Sequence, residues 1–216
     1  MNKKVDAALR RLNEILPLKE RQNSCTPDMK SLHQQILQSL VSKGRAPSRQ
    51  EMALHLHDIA SAIELLGNND MITVSTSGEL TGAYPFSVEE REHVVRVNGH
   101  VLYAMCALDA LAVAPMFQTE VEVISTCALT DVPVIIKMQG DKVLNPGEVS
   151  DVRFGITWSA TDVSSSCADS LCREMVFLQD DAMAQQWLEE SGHDRDIFSL
   201  PDAVEFAGRF FSPLLT

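Results

Sequence analysis

A cysteine and an aspartate stand three residues apart in Tyr103-Ala104-Met105-Cys106-Ala107-Leu108-Asp109, and a second cysteine of interest, Cys172, lies far downstream. The residues after Cys106 are apolar and read as the start of a helix. Positions i and i+3 share one helix face, so Cys106 and Asp109 can address the same small ligand. Unpaired N–H groups at a helix N-terminus carry partial positive charge, which favours thiolate over thiol at Cys106. The segment therefore offers a soft nucleophile beside a proton carrier, a pairing suited to a soft metal rather than to a sugar or a phosphate. Each residue also has a plain structural reading: Cys106 as core filler, Asp109 as a first-turn helix charge, Cys172 as a buried cysteine at a strand end.

These residues need a scaffold, and the chain divides into two parts. Residues 4–16 carry Val5, Leu9, Leu12, Ile15 and Leu16 at helical spacing, and polar residues 18–27 read as a linker ending at Pro27. A helix follows from Asp28 to Ser42, with Leu32, Ile36, Leu37 and Leu40 inward and Gly44 as its stop. Ser48-Arg49-Gln50-Glu51 has the form of a capping box and starts a short helix through Leu54. A further helix spans Asp58 to Leu66, and a hairpin follows, Met71 to Val74 and Leu80 to Tyr84 around Ser77-Gly78. Short helices followed by a hairpin form the winged helix-turn-helix pattern. The helix that would enter a DNA groove contains Asp58 and Glu64 and no Lys or Arg. A packing or lid role is therefore favoured over DNA binding.

After Pro85 strands dominate. Asn98-Gly99 is a two-residue hairpin signal between 94–97 and 100–103, and the helix of Cys106 and Asp109 ends near Pro115. Strands follow at 120–124, 132–138, 142–144, 152–157 and 175–178; 159–170 reads as a Ser- and Asp-rich loop with Cys172 at its far end. Asp181 to Glu190 and Pro201 to Phe211 read as helices. The expected class is α+β: an N-terminal winged-helix-like helical domain over 1–84, then a mixed or antiparallel-sheet domain with flanking helices over 85–216.

Charge and cysteine usage exclude several functions. The net charge is −12, with 10 Lys and Arg against 11 Asp and Glu in residues 1–90 but 8 against 19 in residues 91–216. An acidic second half repels nucleic acid and anionic membranes, so neither is expected as a partner; its plainest meaning is solubility. No apolar run approaches the length of a membrane span, and the N-terminal residues do not resemble a signal peptide, so a cytoplasmic protein is expected. The five cysteines (Cys25, Cys106, Cys127, Cys167, Cys172) are odd in number and form no Cys-x-x-Cys pair. That argues against a disulfide framework and a zinc ribbon and leaves core cysteines or reactive thiols.

The second half resembles the bacterial organomercurial (alkylmercury) lyases. The resemblance rests on Leu102-Tyr103-Ala104-Met105-Cys106-Ala107-Leu108-Asp109-Ala110-Leu111, on Ser125-Thr126-Cys127-Ala128-Leu129-Thr130, and on Ser170-Leu171-Cys172, Val176-Phe177 and Trp187. It covers roughly residues 92–212; the N-terminal third is similar in architecture. The resemblance implies an alkylmercury-lyase-like catalytic domain over 85–216, with Cys106 and Cys172 as the catalytic thiols and mercury ligands and Asp109 as the catalytic acid. It implies a structural role for Cys127 and offers no counterpart for Cys167, a bystander or a backup thiol. Met105 stands where the family has Trp, Leu171 replaces an aromatic, and Arg173 follows Cys172 where relatives carry a Cys or a small polar residue. Tyr103 either lines the site or packs beside it, and His33, His93 and His100 receive no role.

The implied reaction is carbon–mercury protonolysis of an organomercurial, giving a hydrocarbon and Hg(II). It needs no organic cofactor, but external thiols, or a mercuric reductase as acceptor, to remove the metal. Two other readings stand beside it: a thiol-based soft-metal binding or sensing protein without lyase activity, and a structural relative with another redox or ligand role.

Overall fold

The computed structural model describes residues 2–53, 58–158, 167–190 and 194–216. The expected reach of the short helix to Leu54, and residues 159–166 of the expected loop, lie outside them.

The N-terminal part holds α1 (Lys3–Ile15), α2 (Leu18–Ser24), α3 (Pro27–Lys43), α4 (Arg49–Ala53) and α5 (Ile59–Asn68). Helix α1 buries the expected Val5 and Leu12, with Leu16 buried just past its end, but also Ala8, which the spacing does not single out, while Leu9 and Ile15 are half-buried; α3 buries Leu32, Ile36, Leu37 and Leu40 as predicted. Gly44 ends α3 in the left-handed region at φ 65°, as a C-cap glycine does. The capping box forms in both directions: Ser48 N–H donates to Glu51 Oε2 at 2.7 Å, and Glu51 N–H donates to Ser48 Oγ at 3.2 Å.

The expected linker over 18–27 is mostly helix. Its polar sequence conceals Gln22, which is fully buried, donates to Leu214 O at 2.7 Å and meets His33 Nδ1 at 3.0 Å. A polar residue with satisfied partners can face a core, so polarity alone misreads α2 as a spacer.

The remaining elements are β1 (Ile72–Val74), β2 (Leu80–Ala83), β3 (Phe86–Ser87), β4 (His93–Val97), β5 (His100–Ala104), α6 (Ala107–Phe117), β6 (Glu120–Thr126), β7 (Pro133–Gln139) and β8 (Lys142–Val143). They are followed by α7 (Pro146–Val149), β9 (Arg153–Thr157), β10 (Met175–Leu178), α8 (Asp181–Glu189), β11 (Arg195–Ser199) and α9 (Leu200–Phe211). Eight strands form one antiparallel sheet in the order β1-β2-β3-β5-β4-β6-β7-β8, and three form a second, β10-β9-β11. The class is thus α+β with antiparallel sheets. Asn98 and Gly99, at φ 50° and 78°, make the tight turn that the Asn-Gly pair predicts between β4 and β5. Strand β7 alternates exposed and buried residues through its length, so only one of its faces meets the core.

Helix α6 is the centre of the molecule. Every residue from Ala107 to Met116 is buried, including Asp109. A helix that is apolar on all sides belongs inside a protein, and its one carboxyl is therefore conspicuous. Pro115 does not end α6, which runs two residues further to Phe117. An isolated bridge between Cys127 and Phe177 joins the end of β6 to β10, tying the second sheet to the first beside α6.

Candidate active site

Cys106 lies two residues past the end of β5 and opens α6. Its backbone is extended, at φ −155° and ψ 178°, and its sulfur accepts the Asp109 N–H at 3.4 Å, so the thiol is the helix N-cap. One turn into α6 the Asp109 carboxyl folds back, and the Cys106 thiol donates to Asp109 Oδ2 at 2.7 Å. Cys172 arrives from the other sheet, on a 3-10 turn at Leu171–Glu174 that leads into β10. Its sulfur lies 3.9 Å from the same Asp109 Oδ2. The donor atoms of Cys106, Asp109 and Cys172 all lie within 4.8 Å of one another, and all three residues are buried. The three site residues that the sequence analysis names are thus brought together on one small space.

Met175 Sδ sits 3.4 Å from Cys106 Sγ, adding a thioether to the sulfur-lined wall. Cys167 Sγ is 3.7 Å from Cys172 Sγ. A cleft of about 330 Å³, lined in part by Arg91, His93, Met105 and Met175, reaches Cys172 from the surface, with Cys106 and Asp109 behind its lining. Tyr103 is half-buried on β5. Cys127 lies in a separate apolar cluster with Leu178, Ala184 and Trp187.

Burial governs the electrostatics. It pushes Asp109 up from the ordinary 3.8 to about 7, against the opposing pull of the Cys106 hydrogen bond and the Arg91 charge. Burial likewise pushes the Cys106 thiol up to about 12, aided by the negative charge of Asp109. The expected bias toward thiolate at the helix N-terminus is thereby overturned: loss of solvation outweighs the dipole in a site this enclosed. Cys172 is raised well above the ordinary thiol range by its contacts with Cys106 and Cys167 and by burial. The resting site therefore holds its protons on sulfur. Asp109 Oδ1 is buried without a hydrogen-bond partner among the described residues. An orphan acceptor costs about 1–3 kcal/mol and persists where function requires it.

Three further residues hold the site: Tyr84 and Asp70, which carry no functional signal in the sequence, and His93, for which the sequence suggests no role. Tyr84, fully buried, donates from its hydroxyl to Asp70 Oδ1 at 3.0 Å and accepts the Ala168 N–H at 2.8 Å. Asp70 Oδ2 accepts the Cys167 N–H at 3.1 Å. These bonds pin the turn that precedes Cys172 to the N-terminal part of the chain. His93 stays neutral, since burial lowers it to about 4; its Nδ1 meets Ser125 Oγ at 2.8 Å and its ring stands edge-on to Phe177. Only the Tyr84-Pro85 and Asp70 turn positions mark this support in sequence, and neither points to a distant cysteine.

Residues 86–212 match the sequence profile of the alkylmercury lyase family, MerB, a stretch that contains Cys106, Asp109 and Cys172. The alkylmercury lyases of Bacillus cereus and Clostridium butyricum are each 25% identical over 178 residues, covering 82% of this chain and 79% of theirs. That of Streptomyces lividans is 25% identical over 155 residues, 71% of this chain and 70% of its own. The crystal structure of the mercury-bound form of MerB2 shares the fold, with a TM-score of 0.74 at 20% identity over 92% of this chain and 98% of that one. With more than half of its length matched by the family profile and a buried two-thiol, one-carboxyl cluster inside the matched stretch, the chain belongs to the alkylmercury lyase family.

Proposed function

We propose that the protein is an organomercurial lyase that cleaves carbon–mercury bonds by protonolysis, with Cys106, Cys172 and Asp109 as its working residues. Family membership supports the reaction class. The observation that carries the residue assignment is the buried convergence of two sulfurs and one carboxyl within 4.8 Å.

In this reading an organomercurial enters along the cleft and exchanges its carrier ligand for Cys106, whose proton passes through Asp109 to the departing ligand, since thiolate is the ligand that soft mercury prefers. Cys172 then binds the same mercury and gives its proton to Asp109. The second thiolate raises electron density on mercury and weakens the bond to carbon. Asp109 passes the proton to the departing carbon, and hydrocarbon leaves. Mercury remains between Cys106 and Cys172, and the carboxyl returns to its starting charge. A carboxyl with a pKa near 7 is suited to both proton transfers at neutral pH.

The scheme uses no organic cofactor and requires external thiols, or a mercuric reductase, to take the product. We place the protein in the cytoplasm; among the described residues no helix is long and apolar enough to cross a membrane. We further read residues 1–84 as a winged-helix-like unit and 85–216 as the catalytic unit, with α3, α4, α5 and the β1–β2 hairpin supporting the former. The lack of basic residues on α5 favours packing over DNA binding as the role of that unit.

Incubation of purified protein with phenylmercury and excess small thiol tests the reading. Benzene accumulates beyond one equivalent if it is right. Stoichiometric mercury binding with no benzene instead identifies a soft-metal binding protein.

A further inference from the structure

Cys167 has no part in the bond-breaking scheme, yet it is placed with care. Its sulfur lies 3.7 Å from that of Cys172. Its main chain is tied to Asp70, and that of the next residue to Tyr84. All three thiols near the site are buried, at 1% exposure for Cys106, 4% for Cys172 and 7% for Cys167, and of the two mercury ligands it is Cys172 that lines the cleft. Cys127, by contrast, is enclosed in its own apolar cluster with Leu178, Ala184 and Trp187.

We propose that Cys167 is the first acceptor of the mercuric product, displacing Cys106 from mercury while Cys172 keeps its hold. Cleavage leaves Hg(II) bound to two enclosed sulfurs, one of which is almost wholly shielded from any incoming thiol. Mercury–thiolate bonds are strong, but they exchange readily when a new thiol attacks before the old one leaves. Cys167 is already in contact with the shared ligand, so this attack needs no opening of the site. One Hg–S bond forms to Cys167 and one breaks to Cys106. The proton of Cys167 passes to the Cys106 sulfur, and no electrons change hands. The exchange regenerates the Cys106 thiol in its hydrogen bond to Asp109 and moves mercury toward the more accessible pair, Cys172 and Cys167. An external dithiol then removes it by two further exchanges.

The inference rests on the lyase reading for the origin of the mercury, but the exchange itself can be tested without cleavage. Wild-type protein, Cys167→Ser and Cys167→Ala are loaded with one equivalent of mercuric ion and mixed with excess small dithiol. Transfer is followed in stopped flow by the ultraviolet absorption of the mercury–sulfur bond. Both variants are expected to release mercury at least about tenfold more slowly; equal rates in all three proteins overturn the proposal. With organomercurial as substrate, Cys167→Ser should lower the steady-state rate far more than the first turnover. An equal fall in both overturns it as well. Should the variants fail to fold, alkylation of mercury-loaded wild-type protein followed by mass spectrometry decides: protection of Cys172 with protection shared between Cys106 and Cys167 supports the relay, and full alkylation of Cys167 refutes it. Slow release from the variants with no hydrocarbon from the wild type leaves the relay standing and removes the lyase reading.

Discussion

Cys106 and Asp109 are bonded twice across one helical turn. The thiol donates to the carboxyl at 2.7 Å, and the backbone N–H of Asp109 donates to the sulfur at 3.4 Å. The first bond is the path of a proton. The second fixes the rotamer that makes the path short, because the sulfur is held as the N-cap of α6. One local motif thus serves as both a structural cap and a reactive pair. Replacing Cys106 by Ser keeps a cap but loses the soft ligand. Its kcat/KM should fall roughly 10³-fold or more, and mercury should no longer bind in the two-thiol form. Hydrocarbon assays together with titration by mercuric ion check both.

Asp109→Asn separates capture from cleavage. The amide can still accept a hydrogen bond, but it cannot carry a proton from sulfur to carbon. Organomercurial should bind with little loss while hydrocarbon release falls by about 10²- to 10⁴-fold, the usual worth of a positioned acid–base group. Mass spectrometry of the trapped adduct and single-turnover gas chromatography give the two readings.

The pH dependence follows from the same pair. Asp109 and Cys106 are held near about 7 and about 12, chiefly by burial. Together they lose a first proton near 7 and a second near 12, and the singly protonated pair is the active form. The first-order rate constant of capture should rise as pH passes through about 7 and level off above it. Stability should move the other way. A carboxyl raised above its unfolded value binds a proton that the unfolded chain does not, so its contribution declines as pH climbs from about 4 to about 7. The difference between the melting curves of wild type and Asp109→Asn across that window isolates the effect, because buried His33 and His93, each lowered to about 4, act in the opposite sense on both proteins alike.

Tyr84→Phe probes the support rather than the chemistry. It removes the acceptor of Ala168 N–H and one donor to Asp70 Oδ1. The buried Ala168 N–H, deprived of this acceptor, should cost about 1–3 kcal/mol, a fall of several degrees in Tm by differential scanning calorimetry. Activity should fall through the placement of Cys167 and Cys172, with the pH inflection near 7 unchanged.

How much of this was legible in the chain differs from residue to residue. Helical spacing in α1 and α3, the Asn98-Gly99 turn and the capping box at Ser48 are local signals, and each forms as read. The convergence of Cys172 on Cys106 came only through resemblance to a family, because spacing within one helix cannot place a residue from another sheet. Two misreadings share a cause. Gln22 looked like a linker residue, and Cys106 looked like a thiolate, because neither burial nor the partners it brings are written in local sequence. Strand β11 was missed for the same reason: Arg195–Ser199 is only half apolar and is recruited by pairing with β9. The Asp70–Tyr84 anchor joins residues that sit close in the chain to a turn far beyond them, and no local pattern announces it.

The most direct measurement is headspace gas chromatography of methane from methylmercury, with excess thiol, for wild type and Asp109→Ala side by side. Multiple turnovers by the wild type, and mercury capture without methane by the variant, are the predicted result. Methane at comparable rates from both proteins would contradict the account, since the proton would then reach carbon without the carboxyl that lies between the two sulfurs.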